Sequence, residues 1–189
     1  MNALVILNAS KRTLLLKHEF NTCVFTIQEV VDAYKYRPND GSSVFSATGI
    51  DPSLVLYTIT KEDSNLTFII ASYRTSGEEY PLDVTTPIEF LEQLHGILCI
   101  YFPNLSARVL ENNLDLVIIL LSEMVDAGLV VTSHPNALEE IIPGPSLMRN
   151  ILAGVGIQRL RVHSNRIYFY QSIYIYIYNK LENVFLIFK

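Results

Sequence analysis

The sequence predicts an α+β domain: a five-stranded antiparallel sheet with one helix on one face and later helices on the other. Three observations predict it. Apolar runs of strand length are separated by short polar turns, so neighbouring strands return beside each other. One helical pattern interrupts those strands early. The other helical patterns all come later and follow one another without a strand between them.

Ala3–Leu7 is almost wholly apolar, as suits a central strand covered on both faces. The polar turn Asn8-Ala-Ser-Lys-Arg leads to a second strand, Thr13–His18, and makes a hairpin. Cys23–Tyr36 then carries helical spacing. Val24, Ile27, Val30, Val31 and Tyr34 form its stripe, with Asn21 or Thr22 as cap. Arg37-Pro-Asn-Asp-Gly-Ser-Ser ends that helix in a loop.

Ser43–Thr48 is a short edge-strand candidate. Leu54–Thr60 and Leu66–Tyr73 are rich in Ile, Val, Thr and Tyr and are joined by the turn Lys61-Glu-Asp-Ser-Asn. After a loop at Glu78-Glu-Tyr-Pro, Thr86 caps a second helix, with Pro87 at its first position and Glu89 three residues on. Its stripe is Ile88, Leu91, Leu94, Leu98 and Tyr101 or Phe102, and Pro103 ends it.

A longer helix runs from Arg108 to a left-handed cap at Gly128. Leu110, Leu114, Val117, Leu121 and Met124 form one stripe, while Leu116–Leu121 is six apolar residues without a break. Such a run puts apolar side chains on every side of a helix. Cover is therefore needed on two sides, one of them supplied by a second helix or by a partner protein. On the flank of the stripe, Leu116, Ile119, Leu120 and Glu123 are the candidate partner-binding residues. A short helix from Pro135 to Ile142, capped by Ser133 or Asn136, stops at Pro143-Gly-Pro. One or two more helical turns are expected over Ser146–Ala153.

Half of the 189 residues are hydrophobic, which is enough for a core. Charge divides the chain. Residues 1–156 hold 9 Lys/Arg against 18 Asp/Glu, and residues 157–189 hold 5 against 1. An acidic body lacks the basic surface that nucleic acid needs. The break near Gly156 suggests a domain at 1–156 and an atypical Ile/Tyr-rich tail at 157–189, disordered or artefactual. The uncharged run inside the tail is too short to span a membrane, so no transmembrane segment is expected. With no signal-peptide pattern, the chain reads as cytoplasmic.

Chemistry is sparse. His18, His95, His134 and His163 are isolated in sequence, and Cys23 and Cys99 lie in apolar helical patterns that suggest core positions. Gly154-Val-Gly lacks the following Lys-Ser/Thr of a phosphate loop. No catalytic, cofactor-binding or metal-binding residue is assigned, and no enzyme is expected.

Glu111-Asn-Asn-Leu-Asp-Leu-Val-Ile-Ile-Leu-Leu-Ser-Glu-Met-Val-Asp-Ala-Gly resembles a helix of the medium (mu) chains of heterotetrameric vesicle-coat adaptors. Those read roughly Asn-x-x-x-Ile-Tyr-Glu-Leu-Leu-Asp-Glu-Met-x-Asp-x-Gly. Asn113, Leu120, Leu121, Glu123, Met124, Asp126 and Gly128 match, and Ile118-Ile119 replace the family's Tyr-Glu. Ile88-Glu-Phe-Leu and Thr132-Ser-His-Pro-Asn-Ala-Leu-Glu-Glu-Ile-Ile are also similar. Ile142-Pro-Gly-Pro-Ser-Leu looks most like the mu chain of adaptor complex type 3.

The resemblance covers residues 1–156 and implies a longin-like (SNARE-like) domain. It further implies an assembly module that docks to a large beta-type adaptin and to other adaptor subunits, in transport from Golgi or endosome to lysosome or vacuole. Membrane association would be peripheral, through the complex alone. The family's cargo-binding domain would need roughly another 250 residues and is not expected in this chain. The small sigma chain, or another free-standing longin-like regulator, is the alternative.

Overall fold

The computed structural model describes residues 1–37, 42–47, 49–74, 85–142 and 144–145, all within one compact unit, Met1–Arg149. The expectations for Glu78-Glu-Tyr-Pro, for Ser146–Ala153, for His163 and for the 157–189 tail lie outside the described residues.

β1 (Ala3–Asn8) and β2 (Leu14–Glu19) form the expected hairpin. β3 (Val44–Ala47), β4 (Asp51–Lys61) and β5 (Leu66–Tyr73) complete one antiparallel sheet of order β2-β1-β5-β4-β3. β1 pairs with β5 as well as β2, so its backbone is satisfied on both edges and all six of its residues are buried. The short β3 lies at an edge, as its sequence suggested.

Side-chain alternation divides the sheet into two faces. Ala3, Val5, Leu7, Leu54, Leu56, Ile69 and Ala71 pack with Phe25, Val30, Ala33 and Tyr34 of the segment around α1 (Ile27–Lys35). The opposite face carries Leu4, Ile6, Tyr57, Phe68 and Ile70, all buried. α2 (Thr85–Tyr101) lies on that face, where the Phe68 ring meets His95 edge-on at 5.8 Å. Phe20, just after β2, meets Phe90 of α2 in the same way at 6.4 Å.

Two helix starts differ from expectation. α1 begins at Ile27, not Cys23, because Thr26 and Glu29 form a capping box: each satisfies the other's free backbone N–H. Asn21 and Thr22 are therefore not its caps, and Val24, outside the helix, is exposed. α2 begins at Thr85, so Thr86 is inside the helix and not its cap.

Candidate docking surface

The Arg108–Gly128 segment is not one helix. Ser106 caps α3 (Ala107–Glu111), its hydroxyl accepting from the Val109 N–H at 3.3 Å. Two asparagines then close the helix. Asn112 Nδ2 donates to Arg108 O at 2.8 Å, and Asn113 Nδ2 to Val109 O at 2.6 Å. The Arg108 carbonyl also accepts from the Asn112 backbone N–H at 3.2 Å, so the side chains add to the closure of this helix end. α4 (Leu114–Met124) starts at the next residue.

α4 ends before Gly128. From Val125 the chain turns extended, and β6 (Val125–Asp126) pairs antiparallel with β7 (Leu129–Val130). Val131 N donates to Met124 O at 2.9 Å, so the returning strand satisfies the end of α4. Ala127 and Gly128 both have positive φ, +46° and +83°, the backbone of a two-residue hairpin turn. Gly128 is left-handed as expected, but it serves a hairpin and not a helix cap.

Burial decides what α4 can do. Leu114, Leu116, Val117, Ile118, Leu120, Leu121 and Met124 are all buried within this chain. Leu116 is 3% exposed and Leu120 0%. This corrects the sequence reading: both are core residues whose surface is already covered, so neither is available to a partner. Of the two covers left open by the sequence, a second helix or a partner protein, α4 has cover from within its own chain. Ile119 and Glu123 are half-buried and remain accessible, as do Asp115 and Ser122 on the same helix.

Open apolar surface lies on the hairpin that sequence reasoning missed. Leu129 is 74% exposed and Val131 67%. The turn that presents them is held at two points. The Met1 amine donates to Gly128 O at 3.1 Å, and Asn21 Nδ2 donates to Ala127 O at 3.1 Å. Burial lowers the pKa of that amine. Asp126-Ala-Gly-Leu between Val125 and Val130 was a legible hairpin signal, hidden by reading the helix through to Gly128.

After α4 and the hairpin comes α5 (Pro135–Ile141). Its N-cap is His134 and not Ser133 or Asn136, and Pro135 takes the first helical position. α5 is tied to α2 by a buried hydrogen bond from Tyr101 Oη to Ile142 O, 2.9 Å. Burial raises the Tyr101 pKa, with Glu139 adding to the shift.

No three His, Cys, Asp or Glu side chains gather to hold a metal ion among the described residues. His18 packs edge-on against Phe20 at 5.0 Å, and burial lowers its pKa. The cysteines correct another expectation. Cys23 is half-buried ahead of α1, and Cys99 is exposed on α2, 3.6 Å from His95 Nε2. No helix of the described residues is long and apolar enough to cross a membrane.

No protein-family model matches the chain. The mu subunit of the AP-3 complex from Schizosaccharomyces pombe is 31% identical over 70 residues, 37% of this chain and 16% of that protein. Its counterpart from Arabidopsis thaliana is 35% identical over 68 residues, 36% of this chain and 16% of that protein. The match thus spans less than a fifth of either relative's length. In fold, the chain is similar to one in a homology model of the full-length AP-3 complex in a stretched open conformation. That likeness has a TM-score of 0.56 at 13% identity and covers 82% of this chain and 97% of the other. The fold is the longin-like α+β fold of that AP-3 chain, and the local sequence likeness is to AP-3 mu subunits.

Proposed function

We propose that this chain is a non-enzymatic assembly module of a vesicle-coat adaptor complex, built on the longin-like amino-terminal domain of a mu subunit. It docks to a large beta-type adaptin and serves intracellular protein transport, at the cytoplasmic surface of Golgi or endosomal membranes and their vesicles. Membrane association comes through the complex alone. One observation carries this reading: two AP-3 mu subunits match the chain in sequence while a chain of an AP-3 complex matches it in fold. The apolarity of α4 gives no support, because α4 is covered from within.

The contact surface is instead drawn from accessible groups. Ile119 and Glu123 stay as contact residues from α4, and Leu129 and Val131 join them from the hairpin. Both hairpin residues would leave water on docking, which favours association. The test is co-expression of the full chain with a beta-type adaptin. Stoichiometric co-purification is expected, weakened in the double variant Leu129→Glu/Val131→Glu. A folded monomer that binds no adaptin would end the proposal.

The small sigma chain is the second reading, and one observation favours it. The structural neighbour is matched over 97% of its own length, so it is itself a single small domain, whereas the mu relatives are matched over 16% of theirs. Sequencing the transcript across the codons for Gly156 separates the two. A longer product carrying a second, β-rich domain makes the chain a mu subunit. The boundary near Gly156 is proposed on charge alone, as the end of the assembly domain.

A further inference from the structure

Side chains alternate along the returning strand of the β6–β7 hairpin. Val130 pairs with buried Val125 and turns to the body, while Leu129 and Val131 turn to water. Asp126 is the cross-strand partner of Leu129, so a carboxylate and an apolar side chain share one face. Asp126 is exposed, and Glu123, at the end of α4, is half-buried. None of the ion pairs among the described residues uses either carboxylate. The Met1 amine touches the hairpin at its turn, where it donates to Gly128 O.

The surrounding sequence carries the same sign. From 109 to 148 there is no Lys or Arg, against six acids: Glu111, Asp115, Glu123, Asp126, Glu139 and Glu140. That sign decides between partners. Anionic lipid headgroups and nucleic-acid phosphates are repelled. A second copy of this face is repelled too, since each would bring Asp126 and Glu123 to the other. A protein surface of opposite charge is attracted. Arginine suits it best, because its guanidinium meets a carboxylate through two parallel hydrogen bonds and is common at interfaces.

We propose that the β6–β7 hairpin is an apolar knob with an acidic rim, and that it takes a protein partner presenting an apolar socket edged by arginine. Leu129 and Val131 fill the socket, and Asp126 and Glu123 meet the arginines. The proposal rests on the docking reading above for the place of contact, not for adaptin as the partner.

NMR titration of the full chain with a synthetic helical peptide tests it, the peptide carrying a leucine stripe flanked by arginines. Shifts should gather on the amides from Asp126 to Val131. The same peptide with glutamate in place of arginine should leave them unmoved. Asp126→Lys should weaken the arginine peptide about threefold or more, and Leu129→Glu/Val131→Glu should abolish binding at the hairpin. Glu62→Lys, in the exposed turn between β4 and β5, should change nothing. All these side chains are exposed, so unchanged urea midpoints separate lost contact from lost fold. Shifts gathered at Glu62 and Asp63 instead would reduce the effect to net charge and overturn the proposal. So would equal binding of the glutamate peptide, or an Asp126→Lys chain that binds like the parent. Binding at the hairpin supports the proposal whether or not an adaptin co-purifies, so the two readings fail separately.

Discussion

The two faces of the sheet are covered in different ways, and α1 and α4 show the difference. α1 buries Val30, Ala33 and Tyr34 and turns Gln28 and Lys35 to water. One stripe suffices, because one helix lies on a sheet with solvent behind it. On the other side the helices are several, and α4 buries seven of its eleven residues. An apolar helix marks depth within a layer. It does not by itself mark a surface for a partner, and here the chain supplies its own cover.

Leu120→Asp should break this contrast most strongly. It places an unpaired charge in a site with no access to water, at a cost of roughly 4–5 kcal/mol, read as loss of a cooperative urea transition. A folded Leu120→Asp protein would show that α4 has a free side after all. Gly128→Ala comes next. Its φ of +83° strains any side chain, and a Cβ there would run into the Met1 carbonyl. About 1–3 kcal/mol of destabilisation is expected, measured by the urea midpoint.

On the α1 side the effects should be smaller. Thr26→Ala removes the capping box and should cost about 1 kcal/mol by the same measurement. Gln28→Ala, on the watered side of α1, should stay within about 0.5 kcal/mol. No position in the middle of α4 from Leu116 to Ile118 should prove so forgiving.

Acid should also act on one face more than the other. His18, which pairs across the ladder with Leu4, and His95 both lie on the α2 side, and burial lowers the pKa of each. Their folded pKa values fall below the unfolded value of about 6.5, so the folded state binds fewer protons. The stability they contribute is complete above that value and is lost as pH falls through the depressed ones. Urea midpoints between about pH 7 and pH 5 should therefore fall, and His18→Asn should flatten the decline.

The sheet was legible because alternation and turn residues are local signals. Ala3–Leu7 read as central, and it pairs on both edges. Ser43–Thr48 read as an edge, and β3 is one. Helix ends were less legible, because two signals competed at each. Apolar Cys23, Val24 and Phe25 extended the α1 pattern past the Thr26-x-x-Glu29 box that starts the helix. Leu110 and Leu114 kept helical spacing across Asn112-Asn113, whose side chains close α3. The docking candidates were least legible. Whether Leu120 meets a partner or its own core depends on what packs beside it, and spacing along one helix does not contain that. Leu129 and Val131 were hidden for the converse reason, as residues beyond a supposed helix end.

Amide hydrogen exchange on the free chain, then with a beta-type adaptin, tests most directly whether α4 is sealed by its own domain. The α4 amides should be protected in the free chain to the level of β1 and β5, and adaptin should add little to them. Rapid exchange along α4 in the free chain, with protection arriving only in the complex, would contradict the account.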